Sequence, residues 1–182
     1  MDTKVKSGDI LISTPALTEV FSRSVVFMTE HDINGSVGVI INKKLEYNLK
    51  DIVEAFSGID APVYFGGPVQ TELVSVLHRI GDKIGGFEIS DGIYYGCDAD
   101  KLNDLAEIKL LNLDDIKFFL GYAGWSEGQL INEIEHDSWF ISKGLERYIF
   151  DTDVKDLWSK TLNDMGKKYK LISMYPENPS LN

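Results

Sequence analysis

Residues 118–140, FFLGYAGWSEGQLINEIEHDSWF, constrain the fold more than any other stretch, because strand, glycine turn, helix and strand follow one another within it. The run 116–124 mixes aromatics, Leu and small residues, as a strand buried on both faces does. Ser126 reads as a helix N-cap. Gln129, three residues on, completes a capping box, and Trp125 and Leu130 stand where a hydrophobic staple needs them. Leu130, Ile131 and Ile134 then form an apolar helix face opposite Glu127, Glu133 and Glu135, and Asp137-Ser138 ends the helix before Trp139-Phe140-Ile141 resumes as strand.

The remaining chain alternates strand clusters with helices. Residues 9–13 (DILIS) predict a first strand, closed by Thr14-Pro15, and 25–28 and 37–41 predict a hairpin across Asp32-Ile33-Asn34-Gly35. Asn48 predicts an N-cap for a helix carrying Leu49, Ile52, Val53 and Phe56, with Gly58 as its stop. Strands are expected at 63–65 and 73–80, on either side of the turn Gly66-Gly67-Pro68. Residues 81–86 read as a glycine-rich connection. A second hairpin spans 87–89 and 93–95, and Asp98 or Asp100 caps a helix with Leu102, Leu105 and Ala106. Beyond residue 140, 148–150 reads as a short strand and a helix begins at Asp151-Thr152-Asp153, with Val154, Leu157, Trp158, Leu162 and Met165 on one face and Gly166 as its stop. Residues 170–174 predict a last strand before the polar tail PENPSLN. Hairpins with helices between them mean α+β with a largely antiparallel sheet. A chain of 182 residues is expected to form one domain, 1–182.

Composition narrows the function classes. Twenty-nine acidic against eighteen basic residues set a net charge of −11, so the surface as a whole repels phosphate backbones and anionic lipid. Direct nucleic-acid binding is disfavoured, since no helix-turn-helix with basic recognition residues is visible, although a local basic patch stays compatible. MDTKVKSGD lacks an apolar signal core, and no apolar run approaches the ~20 residues that span a bilayer, so no membrane association and a cytoplasmic location are expected. Cys97 is the single cysteine, which excludes an internal disulfide and a Cys-rich zinc motif, and Asp98 and Asp100 disfavour its thiolate. Gly66-Gly67-Pro68 lacks the Gly-Lys-Ser/Thr of a phosphate loop and no G-x-G-x-x-G occurs, so no cofactor is expected.

Two chemistries compete with plain structural roles. Gly124-Trp125-Ser126-Glu127-Gly128 matches G-x-S-x-G between a strand and a helix, as a nucleophile elbow would. The histidine that follows it, His136, lies ten helical residues on, at ~1.5 Å each about 15 Å away, so a capping Ser126 is favoured. Glu30, His31 and His78, with His136 or Asp137, offer metal-ligand chemistry, but no two histidines share ligand spacing, and no metal is expected. Trp125, Trp139 and Trp158 read as core.

The chain resembles the YqgE/AlgH family in GDILISTP (8–15), FSRSVV (21–26), Glu30-His31 followed by Gly35, Gly38 and Asn42, and YFGGPV (64–69). The match continues through Leu77-His78, FLGYAGWSEGQL (119–130), Glu133, Trp139, Trp158 and the ending PSLN. The resemblance implies an α+β fold whose mostly antiparallel, bifurcated sheet curls into a pseudo-barrel with about four flanking helices. The family's biochemical function is not established, and the AlgH name carries a proposed role in transcriptional regulation. No catalytic residue transfers; Ser126 and His136 fall outside the family's pattern. Arg23, Glu30, His31, Asn42, Gly66, Gly67, His78, Trp125, Gln129 and Glu133 are the candidates for a shared site. A binding or regulatory protein acting through a protein partner or small ligand is expected, more than an enzyme. The alternative is a hydrolase-like or metal-dependent enzyme using the Gly124–Gly128 turn or His31 and His78. The hairpin end, His78 and the central turn are expected to share one surface, with the helix N-terminus favouring an anion.

Overall fold

A computed structural model describes residues 5–176; residues 1–4, and 177–182 with the PSLN ending, lie outside the described residues. Strands β1 (Asp9–Ser13), β2 (Val25–Asp32), β3 (Gly35–Ile40), β4 (Lys44–Asn48), β5 (Pro62–Phe65), β6 (Val69–His78), β7 (Phe87–Ser90), β8 (Ile93–Tyr95), β9 (Ile116–Ser126) and β10 (Trp139–Lys143) join in one sheet. Its order is β10-β1-β2-β3-β9-β6-β8-β7, with β4 on β5 and β5 on β9. The β5–β9 pair is parallel, and the other pairs are antiparallel. The sheet curls into a half-barrel. Helices α1 (Leu49–Ile52), α2 (Gly81–Ile84), α3 (Ala99–Glu107), α4 (Gln129–Glu135), α5 (Glu146–Ile149), α6 (Leu157–Asp164) and α7 (Lys167–Ser173) surround it, and α3, α4, α6 and α7 are the substantial ones among the described residues.

The bifurcation is made by β9. One of its edges pairs with β6; the other is shared, with β5 running along Phe118 to Leu120 and β3 along Ala123 to Ser126. Gly66 stands where β5 hands over to β3: its N–H donates to Leu120 O at 2.8 Å and its carbonyl accepts from Ile40 N at 2.8 Å. The backbones cross too closely for side chains. A Cβ on Gly66 would lie 2.2 Å from Gly121 O, one on Gly121 2.4 Å from Gly67 O, and one on Gly67 2.1 Å from Tyr122 C.

Gly121, at φ +69°, also shifts the phase of β9. Phe119 and Tyr122 both face the inner cluster with Ile10, Ile12, Phe27 and Trp158, three residues apart where a regular strand alternates by two. Phe118 therefore packs outward on Leu102 and Ile84 under α2 and α3, and beyond the shift Ala123 and Trp125 pack outward on Leu130 and Trp139 under α4. Both faces of the central strands are buried, which is why β1 shows five buried residues in a row.

One local expectation that holds is the start of α3. Asp98 caps α3, accepting from Asp100 N and Lys101 N at 3.1 Å. Two expected strands are helices instead. Tyr148 and Ile149 belong to α5, with Phe150 as its C-cap, and form too short an apolar run to show a period; residues 170–173 lie in α7, with Met174 as its C-cap. There Tyr169 and Ile172, three apart, pack on the inner cluster while Leu171 is 68 % exposed, a helical pattern. The helix expected from residue 151 starts at Leu157, the glycine-rich 81–86 holds α2, the Asn48 helix stops at Ile52, and β4 was not anticipated.

Candidate functional site

The end of β9 and the helix after it are tied by one hydrogen-bonded chain. Glu133 Oε2 accepts from the indole N–H of Trp125 at 2.9 Å and of Trp139 at 2.8 Å. Its Oε1 accepts from the Gln129 amide at 3.0 Å, and Gln129 Oε1 accepts from Ser126 N at 3.1 Å and the Ser126 hydroxyl at 3.2 Å. The two indoles meet edge to face at 6.0 Å. Trp125, Gln129 and Glu133 thus face one another and clamp α4 to the sheet.

Ser126 is not the N-cap. It ends β9, and Gly128, at φ +71°, precedes α4. Half of the expected capping box survives, because Gln129 reaches back to the Ser126 N–H, but the serine oxygen accepts nothing from the helix. Ser126→Ala should therefore lower stability by about 0.5 kcal/mol or less, against the ~1 kcal/mol of a true cap; denaturant unfolding of the two proteins distinguishes them.

The hairpin of β2 and β3 lies beside this end of β9. Cross-strand register aligns Glu30 with Val37 and Gly124, and His31 with Ser36 and Trp125. Asp32 builds the tip, its Oδ1 accepting from Asn34 N at 2.7 Å and Gly35 N at 3.2 Å. The Asn34 backbone bond is the main reason its carboxyl sits below the usual range. A cavity of about 540 Å³ on one side of the tip is lined by Glu30, Asp32, Val37, Val69, Tyr122 and Trp125 among others. Another of about 280 Å³ is lined by His31, Asp32, Ser126, Glu127, Leu130 and Ile131 among others. Carboxylates line both cavities, so acids flank the Gly128 end of α4.

One pair went unread in the sequence: His31 Nδ1 and the Ser36 hydroxyl are 2.7 Å apart, with Ser36 buried. The hairpin turn carried the signal, since pairing Asp32 with Gly35 sets His31 opposite Ser36.

The other candidates lie elsewhere. His78 pairs with Ile116 at the opposite end of β9 from Trp125, about nine residues or roughly 30 Å away at ~3.3 Å each. It is fully buried, stacked on Tyr94 at 5.5 Å, with Nε2 2.8 Å from Gly96 O and Nδ1 accepting from Ile80 N. The single surface expected for His31, His78 and the turn therefore loses His78 to the core. Burial pushes its pKa below the ordinary 6.5. The unfolded chain binds the proton more readily, so this histidine's contribution to stability is complete above about pH 6.5 and is lost as pH falls through the folded-state value. His78→Gln should flatten the decline in unfolding free energy between pH 7 and 5; an unchanged slope would contradict the buried neutral imidazole.

Asn42 braces the Arg23 turn, accepting from Val25 N at 2.9 Å and donating to Arg23 O at 2.8 Å. Gly66 and Gly67 form the sheet fork. Cys97 is half-buried, and burial first and Asp98 second push its thiol pKa up. Among the described residues no three His, Cys, Asp or Glu side chains gather to hold a metal, and no helix is long and apolar enough to cross a membrane.

A forked, curled sheet with α4 clamped beside a hairpin tip defines the architectural class. Residues 10–170 match the AlgH-like family, and the chain belongs to it. It is 37% identical over 181 residues to a UPF0301 protein of Chlorobium limicola, covering 98% of this chain and 97% of the relative. It is 41% identical over 177 residues to a UPF0301 protein of Bacteroides fragilis, covering 96% and 90%. The solution structure of AlgH from Pseudomonas aeruginosa superimposes with a TM-score of 0.73 at 25% identity, over 97% of this chain and 98% of that one. A crystal structure from Corynebacterium diphtheriae shares the fold with a TM-score of 0.79 at 21% identity, over 96% and 95%.

Proposed function

We propose that the chain is a binding protein that recognises a basic segment of a partner protein through the β2–β3 hairpin tip and the end of β9. The observation that carries this reading is the register that sets Glu30 and His31 beside Gly124 and Trp125, with carboxylates and rings lining the cavities around them. Carboxylates beside aromatic and aliphatic surface suit an amine or guanidinium with an apolar stem. Ile33, 81 % exposed at the tip, adds an apolar contact. A cytoplasmic protein that influences transcription indirectly, through that partner, is consistent with the acid excess, which disfavours DNA.

Titrating the ¹⁵N-labelled chain with an arginine-rich hexapeptide tests this. Shifts confined to residues 30–37 and 122–126, and weakened at least fivefold by Glu30→Gln/Asp32→Asn, are expected. Shifts spread over the acidic surface, unchanged in the double variant, would refute it.

A second reading has one observation in its favour. The 2.7 Å contact of His31 with Ser36 is the geometry of a base and a hydroxyl nucleophile, and moves the hydrolase alternative from Ser126 to Ser36. Fluorophosphonate labelling lost in Ser36→Ala and kept in Ser126→Ala would favour it; absence of labelling would leave the binding reading.

A further inference from the structure

We propose that the cleft between the Arg23 turn, the start of β4 and the first turn of α6 binds a small organic phosphate or diphosphate. The cleft holds about 580 Å³, a size typical of small-molecule sites, and is lined by Arg23, Lys43, Lys44 and Lys155 with the hydroxyl residues Ser22 and Ser159. No carboxylate among the described residues lines it. In a chain with net charge −11, four cations gathered around one cavity run against the composition.

The arrangement is built, not merely charged. Arg23 adopts φ +48°, a conformation uncommon for any residue but glycine, and Asn42 holds its carbonyl there at 2.8 Å. Its guanidinium lies over the Trp158 ring, 4.9 Å from the centroid, and donates to Tyr175 O. That bond uses one of five N–H donors, and the planar fork is positioned before any ligand arrives. Lys44 and Lys155 approach from β4 and from the loop before α6. A phosphate presents several charged oxygens, enough to be shared among donors from separate elements.

The neighbouring cavity sets the boundary. It shares Lys44, Val154 and Lys155 but is also lined by Asp114, Asp151 and Asp153. Those three carboxylates repel an anion from that end, which leaves the Arg23 end as the place for it. This site is separate from the hairpin tip, whose cavities carry carboxylates, and stands or falls independently of it.

Inorganic pyrophosphate, titrated into the full ¹⁵N-labelled chain, is the probe. Saturable shifts are expected at Arg23, Lys44, Lys155, Ser159 and the Trp158 indole, with residues 30–37 unmoved. Lys44→Gln/Lys155→Gln changes two exposed side chains, so thermal unfolding should match wild type while affinity falls tenfold or more. Non-saturable shifts scattered over all lysines, or affinity within twofold in the double variant, would overturn the proposal. So would phosphatidylglycerol vesicles binding through the same lysines while pyrophosphate does not, which would make the surface a lipid contact.

Discussion

Gly66→Ala and Gly121→Ala should each lower the unfolding free energy by about 3 kcal/mol or more, a large part of the ~5–15 kcal/mol that holds a domain of this kind. A Cβ at either place meets a backbone carbonyl at 2.2 or 2.4 Å, and the obstructing atoms belong to β9 and to the β5–β6 turn that crosses it, so neither can yield without moving that turn away from β9. Gly121 adds the strain of φ +69°. Gly58 is the control: a Cβ there meets nothing within 4 Å, and Gly58→Ala should change stability by about 0.5 kcal/mol or less. Urea unfolding of the three variants decides the matter. If Gly66→Ala stayed within about 1 kcal/mol of wild type, close backbone crossing would not explain the glycines, and approach of a ligand to the backbone would be the alternative.

Glu133→Ala should cost about 2–4 kcal/mol. The carboxylate is the acceptor for two indole N–H groups on buried rings and for one side-chain amide, and each orphaned donor loses about 1–3 kcal/mol. Glu133→Gln keeps an oxygen for the indoles but turns an amide toward Gln129, so its loss should be smaller. Unfolding should be measured together with the Trp125 and Trp139 indole proton shifts. A Glu133→Ala protein as stable as wild type, with both shifts unmoved, would mean that the carboxylate is reserved for a ligand.

These results explain how far the residues could be read in advance. Asp98 as a cap, Asp32 to Gly35 as a hairpin turn and the apolar runs of β1 and β2 rest on neighbours in sequence, and they were legible. The α5 and α7 segments were not, because three or four apolar residues fit either period until their packing partners are known. The phase shift at Gly121 depends on Gly66 and Gly67, more than fifty residues earlier by the sequence numbering, and no local pattern shows it.

The same division runs through the candidate site. Trp125, Gln129 and Glu133 were recognisable as a group, but only their mutual hydrogen bonds show that they face each other. His78 looked available at a strand end, and burial beneath Tyr94 withdraws it. Glu30 and His31 were legible as hairpin-end residues, and the register brings them to β9. The basic cleft was invisible, because Arg23, Lys44 and Lys155 meet only once Trp158 has packed beneath them.

The hairpin tip as the working surface is the central claim, and site-specific photo-crosslinking in the cell tests it most directly. A photoreactive side chain replaces Ile33 at the tip, or, as controls on exposed apolar positions elsewhere, Phe87 or Leu171. One discrete adduct from position 33, lost when Glu30→Gln/Asp32→Asn is added, is the expected result. Adducts of equal yield from 87 or 171, or none from 33, would place the partner on another face of the molecule.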